Sequence, residues 1–97
     1  VEVYQLANIQ SAKKRIRQTA RRTERNRVYR SAARTYIKKA RQEIADGELE
    51  EAEETARLAF QTLDKAARRH IIHPRNASRR KGRLMASLAK AKAEAAE

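Results

Sequence analysis

The chain has 97 residues, 24 Lys/Arg against 12 Asp/Glu and a net charge of +12 at pH 7, which leaves room for one domain, residues 1–97, at most. It has no Cys, so disulfides are excluded; no apolar run approaches the roughly 18–20 residues of a membrane span, and Val1-Glu2-Val3-Tyr4-Gln5-Leu6 lacks the basic and apolar regions of a secretory signal. Residues 1–42 balance to +11, residues 43–64 to −7 and residues 65–97 to +8, and block-wise asymmetry of that size argues for a polyanionic partner, a nucleic acid first of all.

Helix formers dominate and only two Gly and one Pro interrupt them, so the expected fold is all-α. The first helix is expected over about 8–45, with Asn8 or Ser11 as its cap, and residues 1–7 as an unstructured extension. Ile9, Ala12, Ile16, Ala20 and Thr23 share one face of it at about 100° per residue. From Tyr29 the apolar stripe is Tyr29, Ala33, Tyr36, Ala40 and Ile44, roughly 120–140° further round. Drift between periods of 3.6 and 3.5 is about 20° per heptad and does not produce that jump. The basic face swaps as well. Lys13, Lys14, Arg17, Arg21 and Arg25 give way to Arg27, Arg30, Arg34, Lys38 and Arg41. The helix therefore changes environment near residues 24–28.

Asp46-Gly47 ends this helix, since Gly takes a left-handed conformation at little cost. A second helix is expected over about 48–69, with Glu48, Glu50 and Glu51 at its positive end. Leu49, Ala52, Ala56, Ala59, Phe60, Leu63, Ala66 and Ala67 form its inner face. His70-Ile71-Ile72-His73-Pro74 reads as a connector. Asn76 is the expected cap of a third helix over about 77–96, with Ala77, Leu84, Leu88, Ala91 and Ala95 inward. Short loops between long helices favour an up-down-up three-helix bundle. Its core is alanine-rich, with Phe60 the single Phe and Tyr29 and Tyr36 as core aromatics, so the free protein is expected to be marginally stable.

Lengths decide where the first helix leaves the bundle. It spans about 55 Å, the other two about 30 Å each. Residues 24–44 then belong to the bundle, and residues 8–23 project beyond it toward an external partner. The same geometry is expected to bring Arg21, Arg22, Arg25 and Arg27 near Arg75, Arg79, Arg80, Lys81 and Arg83, with the acidic run Glu43–Glu54 at the opposite pole.

Lys13, Lys14, Arg15 and Arg17, with Arg21 and Arg22, carry charge around more than half of a helix, which suits insertion among several phosphate backbones. Asn76, Arg79, Arg80 and Lys81 combine a helix start with guanidinium groups, so free N–H groups and bidentate arginines are expected to grip phosphate there. Gly82 inside a helix costs about 1 kcal/mol relative to Ala, which close approach of a backbone would justify. His70 and His73 lack the companions a metal site needs; His73 suits a phosphate or sugar contact. Nothing suggests catalysis, a cofactor or a small-molecule substrate.

Several of these segments resemble one known family. Ala7-Asn8-Ile9-Gln10-Ser11-Ala12-Lys13-Lys14-Arg15-Ile16-Arg17-Gln18, Arg25-Asn26-Arg27, Ala66-Ala67 and His73-Pro74-Arg75-Asn76-Ala77-Ser78-Arg79-Arg80-Lys81-Gly82-Arg83-Leu84 are similar to the bacterial small-subunit ribosomal protein S-twenty family, over about residues 7–90. The resemblance implies a three-helix bundle with a long first helix that binds small-subunit (16S) ribosomal RNA early in assembly. It implies RNA contacts at Asn8, Ser11, Lys13, Lys14, Arg15, Arg17, Arg25, Asn26, His73, Asn76, Arg79, Arg80, Lys81 and Arg83. Charge clustering adds Arg21, Arg22, Arg27 and Arg75. The implied location is the cytoplasmic ribosome, or the plastid stroma for a plastid chain, and a monomer is expected when free. Gln10, Pro74, Ser78 and Gly82 depart from the family's usual Lys, Lys, Ala and Ser. Leu6 stands where the family's initiator Met would be, so residues 1–6 are expected to reflect an upstream extension. The rival readings are a generic basic helical DNA-binding or chromatin-like protein, which needs a base-reading helix, and a membrane-surface helix, which needs larger apolar residues.

Overall fold

The computed structural model describes the backbone of residues 2–96 and the side chains of residues 8–96. Three helices follow one another: α1 Glu2–Ala45, α2 Leu49–Arg68 and α3 Pro74–Ala96. They build an elongated body of 78 × 21 × 13 Å. At 1.5 Å per residue α1 is about 66 Å long, α2 about 30 Å and α3 about 35 Å. α1 starts at Glu2 rather than near residue 8. The expected extension is therefore helical from Glu2, and Asn8 and Ser11 lie within the helix instead of capping it.

Gly47 ends α1 as expected, in the left-handed region at φ +79°. Its N–H bonds the Ile44 carbonyl at 3.2 Å, and the Glu48 N–H bonds the Glu43 carbonyl at 2.9 Å. These two bonds define a Schellman cap. The same motif closes α2, which the sequence did not announce. The His70 N–H reaches the Ala67 carbonyl at 3.1 Å and the Ile71 N–H reaches the Ala66 carbonyl at 2.8 Å. Here the left-handed position, φ 60°, is filled by His70, a residue with a Cβ.

The start of α3 differs from expectation. The helix begins at Pro74, and Asn76 sits in its first turn. Pro suits the first helical position because its fixed φ is already helical and it has no N–H to leave unpaired. His73 is the capping residue. Its Nδ1 accepts the Arg75 N–H at 3.1 Å. Its carbonyl accepts the Asn76 and Ala77 N–H groups at 2.9 and 3.2 Å.

The core is thin and made largely of alanine. Ala40, Ala52, Ala56, Ala59, Leu84 and Leu88 form one buried cluster, flanked by Tyr36, Ile44, Leu49 and Phe60. Ala33, Leu63 and Ala77 form a second, and Ile37 packs against both. Small side chains let α1 and α2 lie close, but each removes little apolar area from water. One carboxylate from the acidic stretch is inside: Glu43 is 8% exposed, and Thr55 donates its hydroxyl to Glu43 Oε1 at 2.6 Å. Two exposed-to-half-exposed ion pairs tie α3 to α2, Lys81–Asp64 at 3.0 Å and Lys92–Glu53 at 2.7 Å. The hydrogen bond from Lys92, and then its charge, hold the Glu53 carboxyl below the usual carboxylate range.

Residues 8–25 are exposed throughout, and the first half-buried position is Asn26. The change of environment therefore falls where the switch of apolar stripe places it. Ile9 and Ile16 stand 52% and 69% exposed on the projecting part.

Candidate nucleic-acid interface

The projecting part of α1 presents Asn8, Ser11, Lys13, Lys14, Arg15, Arg17, Arg21, Arg22 and Arg25, all of them exposed. Arg21, Arg22 and Arg25 line a shallow groove with Gln18 along this helix. Among the described residues, none of these cations is in an ion pair. Arg27 is also exposed but meets Glu24 at 3.6 Å, one turn away.

A second group gathers around the connector. Arg30 of α1 donates from its guanidinium to the Ile71 carbonyl at 3.0 Å. Arg69 lies over the Tyr29 ring, 5.2 Å from its centre. These two contacts set the connector level with Tyr29 and Arg30. A cleft of about 380 Å³ opens there, lined by Arg30, Arg34, His73, Asn76 and Arg80 together with Ile71 and Ile72. His73 faces it with its Nδ1 already accepting the Arg75 N–H, so the proton of the neutral ring is on Nε2, which is the nitrogen able to donate.

Arg75, Arg79, Arg80 and Arg83 are exposed on α3. Two expectations about this helix change. First, its N-terminus offers no free backbone donors for a phosphate: Pro74 has none, and those of Arg75 and Asn76 are satisfied by His73. Any grip there must come from side chains. Second, α3 does not face Arg21–Arg27 across a common cleft. Arg80 and Arg83 share a larger cleft of about 510 Å³ with Arg34, Lys38 and Arg41. The offset arises because α2 ends level with Tyr29, not Glu24, and the connector that leads into α3 lies level with Arg30.

Lys81 points the other way from this cleft. It is half-buried between α2 and α3, paired with Asp64 and 5.8 Å from the centre of the Phe60 ring. Asn26 and Asn76 are also half-buried, and each has a buried side-chain oxygen with no hydrogen-bond partner. At Gly82 a Cβ would meet nothing within 4 Å, so packing inside the chain does not require glycine.

Sequence reasoning missed Arg30, Arg34, Lys38 and Arg41 as candidates. Their signal is present as the second basic stripe of α1, which marks the change of environment near residues 24–28 without assigning these residues a partner. Their position opposite Arg80 and Arg83 depends on how closely α3 approaches α1, which no periodicity encodes. Among the described residues, no helix is long and apolar enough to cross a membrane.

The geometry is therefore that of a helical rod with cations along one end and in a cleft on its flank. The family model described as ribosomal protein S20 matches residues 7–89. A small ribosomal subunit protein bS20 from Roseiflexus is 50% identical over 88 residues, covering 91% of this chain and 96% of that protein. The bS20 of Thermomicrobium roseum is 49% identical over 80 residues, covering 82% and 81%. That of Citrifermentans bemidjiense is 48% identical over 79 residues, covering 81% and 91%. With a family match across most of its length and relatives near half identity, the chain belongs to the ribosomal protein S20 family.

Proposed function

We propose that this chain is a non-enzymatic structural component of the small ribosomal subunit. In this reading it binds 16S-type ribosomal RNA directly and holds separate RNA segments together during assembly. The observation that carries the reading is the projecting stretch of α1, where residues 8–25 are exposed and carry cations with no ion-pair partner among the described residues. A helix charged around most of its girth and free of intrachain packing suits a crowded phosphate environment. Lys13, Lys14, Arg15, Arg17, Arg21, Arg22 and Arg25 would neutralise phosphates, with Asn8 and Ser11 as polar contacts. Arg75, Arg79, Arg80, Arg83, His73 and Asn76 would hold a second segment near the connector. Asn26, Arg27 and Lys81 border these surfaces, Arg27 and Lys81 sharing their charge with Glu24 and Asp64. Duplex RNA is recognised mainly through backbone and shape, so little base readout is expected. The chain acts as a monomer.

The test is titration against an isolated 5′-domain fragment of small-subunit ribosomal RNA across a range of salt, with duplex DNA as competitor. Tight, RNA-selective binding with a steep log-affinity against log-salt slope is expected. Arg79→Ala with Arg80→Ala should weaken binding and flatten the slope by about 1 to 2. Weak binding, equal for DNA and RNA, would favour the generic DNA-binding reading.

A further inference from the structure

The flank cleft between α1 and α3 has a lining that the bundle itself does not explain. Arg34, Lys38 and Arg41 form its α1 wall and Arg80 and Arg83 its α3 wall, over a floor that includes Ile37. The three α1 cations recur at spacings of four and three residues, so they lie in one row along the helix. From Arg34 to Arg41 the row spans about 10 Å. Among the described residues none of the five is in an ion pair or a hydrogen bond to an acidic side chain. Nearby acids are engaged elsewhere: Asp64 and Glu53 of α2 are paired with Lys81 and Lys92, and Glu43 of α1 is turned inward to Thr55.

Such an arrangement is costly for the free protein. Like charges four apart on one helix destabilise it by about 0.2–0.5 kcal/mol per pair, and a second cationic wall across the same cleft adds to that. A solvated surface does not need both walls to carry the same sign. Two facing rows of guanidinium and ammonium groups do match one ligand, a chain of regularly spaced phosphates that runs between them. Arginine supplies planar, bidentate donors for phosphate oxygens, while Gln42 at the end of the cleft donates its amide to Asp46 at 3.2 Å. The lining holds no aromatic ring, and aromatic stacking is how unpaired bases are usually held. The cleft is thus suited to a sugar–phosphate backbone rather than to bases.

We propose that the second RNA segment, to which Arg80 and Arg83 are assigned above, enters the α1–α3 cleft as one sugar–phosphate strand, held between Arg34, Lys38 and Arg41 on one side and Arg80 and Arg83 on the other, separate from the projecting helix. The proposal rests on the ribosomal RNA reading above and extends it. One protein then clamps two RNA segments along a single helix, the first at residues 8–25 and the second at residues 34–41. The continuous α1 fixes the distance between them, which makes it a ruler as well as a binding surface.

The test compares two triple variants of the full chain on a small-subunit ribosomal RNA fragment. One carries Arg34→Gln, Lys38→Gln and Arg41→Gln; the other carries Lys13→Gln, Lys14→Gln and Arg17→Gln. Affinity, salt slope and the RNA tracts protected from backbone cleavage are measured for both. Each variant is expected to bind at least about tenfold more weakly, with the slope reduced by about 2–3. Each should lose a different protected tract and keep the other. Arg34→Lys with Arg41→Lys should retain the charge-dependent slope, and Arg83→Gln alone should weaken the same tract as the cleft triple variant. All seven substituted positions are exposed, and helical circular dichroism checks that each variant folds. If the cleft variant binds like the unaltered protein, with the same slope and both tracts, while the projecting-helix variant weakens, the cleft proposal is wrong and the ribosomal RNA reading survives. If neither variant changes binding, both fail. If both variants lose the same tract, there is one site and not two.

Discussion

Two residues in the bundle are held in states that their chemistry does not favour. Glu43 buries its carboxyl group in the α1–α2 interface, with the Thr55 hydroxyl donating to it at 2.6 Å. Removing that donor leaves a buried acceptor unpaired, which costs about 1–3 kcal/mol. Thr55→Val, which preserves the shape, is therefore expected to lower stability by that amount in urea unfolding. An unchanged midpoint would mean that water replaces the hydroxyl. His70 is a different case, a strained backbone rather than a buried polar group. It occupies the left-handed position of the α2 cap at φ 60°, a conformation that costs an L-residue roughly 1–2 kcal/mol and glycine almost nothing. His70→Gly should raise the melting temperature, less the entropy that glycine returns to the unfolded chain. A fall would show that the imidazole makes contacts worth more than the strain.

At the scale of elements, α1 is two helices in one. Residues 8–25 have no tertiary packing, and Lys13, Arg17, Arg21 and Arg25 follow one another at four-residue intervals with the same charge. Each such pair is destabilising, and an unpacked helix of this length is marginal in water. Amide hydrogen exchange of the free protein is expected to show almost no protection at residues 8–22. Residues such as Ala40, Ala56 and Leu63, which are fully buried, should exchange only with global unfolding. Bound to RNA, the projecting stretch should gain protection. Protection equal to the bundle's in the free state would overturn this.

The same division shows what the sequence could and could not convey. The change of stripe from Ile16 and Ala20 to Ala33 and Ala40 is local periodicity, so the point of departure from the bundle was readable to within a few residues. Gly47 was readable because a left-handed turn has a preferred residue. The second turn was not, because His70 fills that position against preference and His73, not Asn76, caps α3. Histidine at a helix start is an uncommon cap, and Pro74 was taken for part of the connector when it was the first residue of the helix. These small errors shift α3 along α1, and that shift decides which cations meet. Arg34, Lys38 and Arg41 were visible as a stripe. That they face Arg80 and Arg83 follows only from the three-dimensional docking of α3.

The whole molecule balances a small apolar core against its own charge. Two kinds of electrostatic term oppose one another when salt is added. The Lys81–Asp64 and Lys92–Glu53 pairs hold α3 to α2, and screening weakens them. Both are partly exposed, so solvent screens them and neither is a strong tie. Against them stands the repulsion of a +12 chain, concentrated where Arg34, Lys38 and Arg41 face Arg80 and Arg83. The screening length falls from about 30 Å at 0.01 M salt to about 10 Å at 0.1 M, so repulsion across the 21 × 13 Å cross-section is largely unscreened at the lower value and much reduced at the higher. Repulsion involves many more charges than attraction, and it should dominate. The melting temperature of the free protein is therefore expected to rise between 0.01 M and about 0.3 M sodium chloride. Arg34→Gln with Arg41→Gln should raise it at low salt and blunt its rise, since that variant removes part of the repulsion in advance. A melting temperature that falls with salt would mean that the two ion pairs outweigh the net charge.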